Sequence, residues 1–254
     1  MLTYPGSGVK DAVLQPFLHA LLDMFFPPLC HVCRSFIPDA GQLHLCSSCK
    51  EKIEPLGHPL CTVCGIPFFG AGDDHLCGEC IKHPPAFDAA RAAVAYAGPV
   101  CSLIHNFKYT YKVHLRRPLS LLVVNHLGDV AARYHSDLII PVPLHVKRLR
   151  SRGFNQAILL GELLARRWQL PMERGVLQRI RWTEPQINLS ADERRENVKG
   201  AFAVHEPARV SGKRIILLDD VLTTGSTVTE CAAVLKAAGA VEVLVVTVAR
   251  ALSA

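Results

Sequence analysis

The sequence predicts an α/β protein with a parallel β-sheet, preceded by a small cysteine-rich module. Three observations lead to this class. Apolar runs at residues 90–97, 137–143, 215–218 and 241–249 are continuous enough for strands that are buried on both faces. Segments with helical periodicity separate these runs. Eight of the ten cysteines form four Cys-x-x-Cys pairs, all within the first third of the chain.

The composition indicates a folded protein with one region of concentrated positive charge. A chain of 254 residues with 50% hydrophobic content is sufficient for one α/β domain and a small appendage. The segment from Lys147 to Lys199 holds twelve of the 28 basic residues but only six of the 22 acidic ones. The excess of positive charge therefore lies in this segment.

The N-terminal region shows no export signal. Its only apolar stretch, residues 12–29, is interrupted by polar residues and is too polar to span a bilayer. We therefore expect a cytoplasmic protein with reduced thiols and no transmembrane segment. Residues 1–26 are expected to form a tail followed by an amphipathic helix from about Lys10 to Phe26, which Pro27 and Pro28 stop.

The cysteine pairs belong to an internal repeat with a period of 31 residues. Pro28-Leu29-Cys30-x-Val32-Cys33 recurs from Pro59, and His44-Leu45-Cys46-x-x-Cys49 recurs from His75. In each half, twelve residues separate two cysteine pairs, which allows four thiolates to close a tetrahedral site. Residues 27–83 are therefore predicted to be a double zinc ribbon. Its expected ligands are Cys30, Cys33, Cys46, Cys49, Cys61, Cys64, Cys77 and Cys80.

The spacing leaves the pairing of the cysteines open. Sequential pairing joins the four cysteines of one half, whereas a cross-braced arrangement joins the first pairs of both halves. Four thiolates leave no position for water, so a structural zinc ion is expected, with rubredoxin-like iron as the alternative. The neighbouring histidines are interpreted as surface residues or as residues that support the ligands.

The stretch most informative about function follows the apolar run at residues 215–218. Asp219 and Asp220 are expected where this strand ends, and ionised carboxylates there would suit vicinal ribose hydroxyls. A turn rich in hydroxyl groups comes next and opens a helix predicted from about Ser226 to Ala238. Its side chains, glycine and free N–H groups suit a phosphate: Thr223, Thr224, Gly225, Ser226 and Thr227.

Basic residues follow the predicted strand at residues 137–143. Arg148 and Arg152 precede a helix that is expected to open at Gly153-Phe154-Asn155-Gln156 and to last to about Trp168. Arginines at the carboxyl edge of a parallel sheet are suited to pyrophosphate, although a solvated basic face would have the same composition.

The remaining segments carry weaker patterns. We expect a turn at Gly98-Pro99, then a helix leading to Tyr109 and a second helix over residues 115–134. Residues 179–202 are strongly polar, and we predict a mobile loop followed by a short helix that Ser190 and Glu193 cap. Cys101 and Cys231 lie in apolar helical surroundings, where buried thiols are expected.

Taken in this order, the motifs resemble the ComF/GntX family. They are the duplicated cysteine ribbon, Val142-Pro143-Leu144-His145 with the two arginines, Thr183-x-x-Gln186-x-x-Leu189 with Arg194, and the Asp-Asp signature of type I phosphoribosyltransferases that bind phosphoribosyl pyrophosphate (PRPP). The resemblance implies a Rossmann-like phosphoribosyltransferase fold over residues 87–254, behind the zinc ribbon. It also implies a link to natural competence and to the use of external DNA.

The resemblance implies roles for the residues already named. Asp219 and Asp220 would hold the ribose, residues 223–227 the 5-phosphate, and Arg148 and Arg152 the pyrophosphate of magnesium-bound PRPP. Thr183, Gln186 and Arg194 would belong to a flexible hood over the substrate. The acceptor and the oligomeric state stay open. Two further hypotheses are a single-stranded DNA-binding competence protein, for which the basic segment is suited, and a PRPP-sensing regulator without turnover.

Overall fold

The computed structural model describes residues 27–38, 41–183 and 191–252, except for the side chains of residues 191 and 192. The chain divides into two compact units, Met1–Glu51 and Lys52–Ala254. The boundary falls between the two cysteine ribbons, so the second ribbon belongs to the larger unit. The helix predicted from Lys10 to Phe26 lies outside the described residues.

The two ribbons have the same local structure, including equivalent hydrogen bonds. In the first, the Cys30 N–H donates to the Ser35 carbonyl at 2.8 Å, and in the second the Cys61 N–H donates to the Ile66 carbonyl at 2.8 Å. Each ribbon closes with a short helix, α1 (Ser47–Glu51) in the first and α2 (Gly78–Lys82) in the second. The period of 31 residues is therefore a structural repeat.

The cysteine sulfurs gather sequentially, one set in each ribbon. In each set of four, the Sγ atoms lie within 4.8 Å of one another. Cys33 and Cys46 are 3.6 Å apart, and Cys64 and Cys77 are 3.7 Å apart, close to the ~3.8 Å expected between thiolates around tetrahedral zinc. The cross-braced arrangement is not observed, and the donor set supports one structural zinc ion in each ribbon.

A four-stranded parallel sheet forms the centre of the larger unit. Its strands stand in the order β1 (Ala89–Ala95), β6 (Glu242–Arg250), β5 (Arg214–Leu222) and β2 (Leu138–Pro141). Because all neighbours are parallel, the carboxyl ends of the four strands meet at one edge. A separate antiparallel pair consists of β3 (Leu177–Arg179) and β4 (Phe202–Val204).

Helices cover both faces of the sheet. They are α3 (Gly98–Tyr109), α4 (Arg116–Leu127), α5 (Val130–Arg133), α6 (Val146–Arg152), α7 (Gln156–Trp168), α8 (Ala191–Val198) and α9 (Ser226–Ala237). Helix α7 packs on β5 so closely that a Cβ at Gly161 would lie 3.3 Å from Leu218. On the other face, buried residues of α9 join Ile215 and Leu217 in one apolar cluster. The result is three layers: helix, sheet and helix.

The structure differs from the sequence expectations at several element boundaries. Strand β5 continues through Asp219 and Asp220 to Leu222 instead of ending at Leu218. Gly98 and Pro99 open helix α3 rather than form a turn, because proline is compatible with the first helical positions. The helix expected over residues 115–134 breaks at Gly128-Asp129 into α4 and α5. Helix α6 was not predicted, nor were strands β3 and β4, which lie at the two ends of the polar stretch.

The second ribbon packs on the edge strand of the sheet. Strand β1 is rich in alanine, which is a poor strand former, and neighbouring chain segments stabilise it. The Ala90 N–H donates to the Val63 carbonyl at 2.6 Å, and the Ala95 N–H donates to the Glu54 carbonyl at 2.8 Å. The ribbon and the segment before it therefore satisfy the outer edge of β1.

Gly65 allows this close packing. Arg34 occupies the equivalent position of the first ribbon with a φ of 64°, and Gly65 has a φ of 68°. A left-handed φ therefore does not by itself require glycine at this turn. A Cβ at Gly65, however, would lie 2.3 Å from the Ala90 carbonyl oxygen. Contact with β1 is thus the reason for glycine in the second ribbon.

Among the described residues, no helix combines the length and the apolar character that are needed to cross a bilayer.

We predict that Gly65→Ala destabilises the larger unit by more than about 2 kcal/mol, because the new methyl group collides with backbone that cannot move independently. Thermal unfolding of the zinc-loaded protein measures this effect. Arg34→Ala is the matched control, since it places alanine at a nearly equal φ in the first ribbon, where the native residue already has a Cβ. Equal melting temperatures for the two variants would contradict the packing described for the second ribbon.

We also predict about two zinc ions per chain by metal analysis.

Removing one ligand from each ribbon in turn should have unequal effects on stability. Cys61→Ser should lower the melting temperature of the larger unit, because Cys61 belongs to that unit's buried apolar cluster. Cys30→Ser should leave that transition in place while one zinc ion is lost. Equal destabilisation by both substitutions would argue against this asymmetry.

Candidate active site

A cavity of about 640 Å³ opens at the carboxyl edge of the sheet. Three of the four strands contribute to its wall at their carboxyl ends: Tyr96 follows β1, Val142 follows β2, and Asp219, Asp220 and Val221 belong to the end of β5. Ligands of open α/β sheets bind at this edge, outside the carboxyl ends of the strands. The lining residues are Tyr96, Lys108, Tyr109, Val142, Pro143, Leu144, Lys147, Arg148, Ser151, Arg152, Asn155, Gln156, Arg179, Trp182, Arg194, Asp219, Asp220, Val221, Thr223 and Thr227.

The two predicted carboxylates both line this cavity, but they have different neighbours. Successive side chains of a strand point to opposite faces of the sheet. Asp220 is buried and forms a salt bridge with Lys108, with 2.8 Å between Oδ1 and Nζ. Asp219 is half-buried and accepts a hydrogen bond from the Asp220 backbone N–H at 2.8 Å. Lys108 therefore neutralises part of the negative charge of the pair, through its contact with Asp220.

The electrostatic environment disfavours two negative charges at this position. Burial, and then repulsion from Asp220, raise the pKa of Asp219 from 3.8 to about 7. Lys108 and Arg179 oppose this shift but do not cancel it. Burial alone would lower the pKa of Lys108, but attraction to Asp220 outweighs it and raises that pKa. The cavity thus contains a carboxyl group that titrates near neutral pH.

The predicted phosphate loop connects β5 to α9. Gly225 precedes the helix with a φ of 81°, a left-handed conformation that glycine adopts without strain. Thr223 and Thr227 line the cavity, and the hydroxyls of Thr224 and Ser226 lie 3.0 Å apart between them. The first N–H groups of α9 and these hydroxyls together form an arrangement suited to an anion.

Basic side chains also line the cavity. Arg148 and Arg152, the two arginines selected from the sequence, both lie on α6 and line the cavity. Arg152 donates to Tyr109 Oη at 3.2 Å and stacks over that ring at 5.0 Å. Arg148 lies 5.5 Å from the centre of the Trp182 ring. These contacts position the two guanidinium groups at the cavity.

The hood predicted from the polar stretch connects β3 to β4, and these two strands pair with each other. Arg179, at the end of β3, donates a hydrogen bond to Thr183 Oγ1 and stacks 5.2 Å over Phe202. Burial, and then the charge of Arg148, lower the pKa of Arg179 to about 10. Arg194 on α8 lines the same cavity, whereas Gln186 and the proposed cap Ser190 lie outside the described residues.

The sequence did not indicate several residues of this site. Lys108 is the most important of them, because it lies in an apolar helix far from the motifs. The sequence did carry one sign of its role, namely a lysine among the apolar residues of a helix that is expected to be buried. Asn155 was noted only at the start of α7, and in the structure it caps that helix and donates to the Val142 carbonyl at 3.0 Å.

The two cysteines outside the ribbons have no features of nucleophiles. Cys231 is fully buried in α9, and burial raises its pKa well above 9.0. Cys101 is half-buried, and burial raises its pKa also. Because the thiolate is the reactive form, both groups are inert at neutral pH.

Comparison with protein-family models gives two matches. A double zinc ribbon domain matches residues 21–81, and a phosphoribosyl transferase domain matches residues 160–254. The first contains all eight ribbon cysteines, and the second contains the Asp-Asp pair, the phosphate loop and the hood.

Curated relatives extend the similarity over most of the chain. Competence protein F of Haemophilus influenzae is 35% identical over 237 residues, which cover 89% of this chain and 99% of that protein. DNA utilization protein YhgH of Escherichia coli O157:H7 is 38% identical over 168 residues, covering 65% and 73%. Adenine phosphoribosyltransferase of Sphingopyxis alaskensis is 32% identical over 118 residues, covering 46% and 56%. The chain therefore belongs to the family of competence protein F and DNA utilization protein YhgH, and it combines a double zinc ribbon with a phosphoribosyltransferase domain.

Proposed function

We propose that this protein binds PRPP with magnesium and transfers its phosphoribosyl group, in a process of competence and DNA utilization. One observation carries the proposal. A carboxylate pair, a hydroxyl-rich loop at a helix N-terminus and a row of cations surround a single cavity. These three features suit the ribose, the 5-phosphate and the pyrophosphate of PRPP, respectively. The names of the relatives support the link to competence and DNA.

The end of β5 is the proposed binding site for the ribose. In this proposal Asp219 and Asp220 accept hydrogen bonds from the 2- and 3-hydroxyl groups of the sugar. The 5-phosphate then lies at the loop of residues 223–227. The N–H groups and dipole of α9 favour its negative charge, and the left-handed Gly225 allows close approach of the backbone.

Helix α6 and the start of α7 are the proposed binding site for the pyrophosphate. Arg148 and Arg152 line the same cavity as the carboxylates, and arginine binds phosphate oxygens by forked hydrogen bonds. Magnesium prefers oxygen ligands and would be held mainly by PRPP, with the carboxylate of Asp219 available beside it. When bound, it supplies neutralising charge to the pyrophosphate. No residue of the described chain is needed as a covalent nucleophile.

The chemistry that follows is electrostatic. The bond between the anomeric carbon and pyrophosphate breaks with its electron pair leaving on pyrophosphate, and an acceptor nucleophile forms the new bond to that carbon. Arg148 and Arg152 stabilise the charge that develops on the leaving group. The hood, whose described parts include Arg179, Thr183 and Arg194, would close over the substrate and exclude water.

The proposal is tested first by isothermal titration of the zinc-loaded protein with PRPP and magnesium. We predict that Asp219→Asn combined with Asp220→Asn weakens binding by about 100-fold or more, because two hydrogen bonds to charged acceptors are lost. Asp129→Asn, which changes an exposed carboxylate outside the cavity, is the matched control. Circular dichroism verifies that the double variant is folded.

Unchanged affinity in the double variant would refute this binding site. The alternative hypothesis, single-stranded DNA binding, predicts a different result in the same instrument. Absence of PRPP binding, together with oligonucleotide binding that weakens steeply with salt, would favour the DNA-binding hypothesis instead.

The raised pKa of Asp219 predicts a pH dependence of stability. The folded protein retains a proton that the unfolded chain releases between pH 3.8 and about 7. Raising the pH through this window therefore lowers the free energy of unfolding, by at most about 1.4 kcal/mol per pH unit. Asp219→Asn cannot titrate, so this slope should disappear from the variant. Denaturant unfolding of both proteins across the window measures the difference, and parallel curves would show that Asp219 has an ordinary pKa.

A further inference from the structure

Lys108 lies in the last turn of α3 and is a largely buried cation that lines the cavity. Its Nζ is 2.8 Å from Oδ1 of Asp220, and the two side chains are 20% and 7% exposed. A buried salt bridge contributes little net stability, since desolvation offsets most of the attraction. Its position in the cavity therefore suggests a role in ligand binding.

Groups of both charges act on Lys108. Asp220 and, more weakly, Asp219 stabilise its charge, whereas Arg152 destabilises it. The next residue, Tyr109, accepts the hydrogen bond from Arg152. Lys108 therefore contacts a carboxylate assigned to ribose and is near enough to an arginine assigned to pyrophosphate for their charges to interact.

The salt bridge occupies one of the two oxygens of Asp220. A ribose hydroxyl that approaches Asp220 at Oδ1 therefore competes with Lys108 for that oxygen. If Lys108 simply moved away, a buried ammonium would lose its counter-ion, which is costly. Arrival of an anionic diphosphate removes that cost, because it offers new acceptors to the same ammonium group.

We propose that Lys108 is a substrate-positioning residue that passes from Asp220 to the pyrophosphate of the substrate when the ribose hydroxyls reach Asp220. This inference rests on the proposed function of the cavity. The exchange keeps Lys108 paired with an anion in both states, while Asp220 exchanges the ammonium group for a hydroxyl donor. It also makes ribose binding and pyrophosphate binding depend on each other. A ligand that lacks the pyrophosphate group must displace Lys108 without offering it a new partner.

The test compares PRPP with ribose 5-phosphate, each titrated with magnesium into the zinc-loaded full-length protein. Lys108→Met should weaken PRPP binding about tenfold or more, because a charge-assisted hydrogen bond to the pyrophosphate is lost. The same substitution should leave the affinity for ribose 5-phosphate unchanged or increase it, because the competitor for Asp220 is gone. Lys112→Met, a lysine outside the cavity in the segment that follows α3, is the control and should change neither affinity.

The outcomes separate the inference from the proposed function. If the unmodified protein binds no PRPP, the proposed function fails. If the unmodified protein binds PRPP but Lys108→Met weakens both ligands equally, the lysine is only structural and the inference is overturned. Unchanged PRPP affinity in that variant would overturn it also.

A second pair of variants avoids an unpaired buried carboxylate. If Lys108→Met does not fold, Asp220→Asn is compared with the double variant Lys108→Met/Asp220→Asn. The inference predicts that the added methionine lowers PRPP affinity further while ribose 5-phosphate affinity stays the same. Equal PRPP affinities of the two proteins would contradict it.

Discussion

Strand β5 pairs with β2 on one side and β6 on the other, and this parallel pairing determines where every functional group lies. The register places Asp219 opposite Thr247 and Leu222 opposite Arg250, so the carboxylates stand inside the sheet and only the loop beyond them projects from it. A rigid sheet thus holds groups whose mutual repulsion would otherwise separate them. The cost of holding them is visible in the raised pKa of Asp219 and in the salt bridge between Asp220 and Lys108.

The second ribbon also contacts this sheet, through the end of β6. Arg250, at the end of β6, donates to the Cys64 carbonyl at 2.7 Å and lies 3.5 Å from the Cys64 sulfur. The next residue, Ala251, donates its N–H to the Leu222 carbonyl, one residue before the phosphate loop. A four-thiolate zinc site carries negative charge, which the guanidinium group of Arg250 complements. The duplicated ribbons are therefore alike in local structure but not in surroundings.

Local sequence predicted those parts of the fold and site that depend on neighbours in the chain. The cysteine spacing identified both ribbons, and the order strand, Asp-Asp, hydroxyl-rich turn and helix identified the loop from Thr223 to Thr227, because each motif closes within a few residues. Lys108 could not be assigned, since its partner Asp220 is distant in sequence. The β3–β4 pair was missed for a similar reason. Each strand has only three residues, which is too short for a strand pattern, and pairing across the hood decided their conformation.

The most direct test of the central claim is a crystal structure of the zinc-loaded protein with PRPP and magnesium. The account predicts the 5-phosphate at residues 223–227, the ribose hydroxyls on Asp219 and Asp220, and the pyrophosphate beside Arg148 and Arg152. Lys108 should then contact a pyrophosphate oxygen. Density for PRPP outside this cavity, or a bound ribose with its hydroxyls directed away from both carboxylates, would contradict the account.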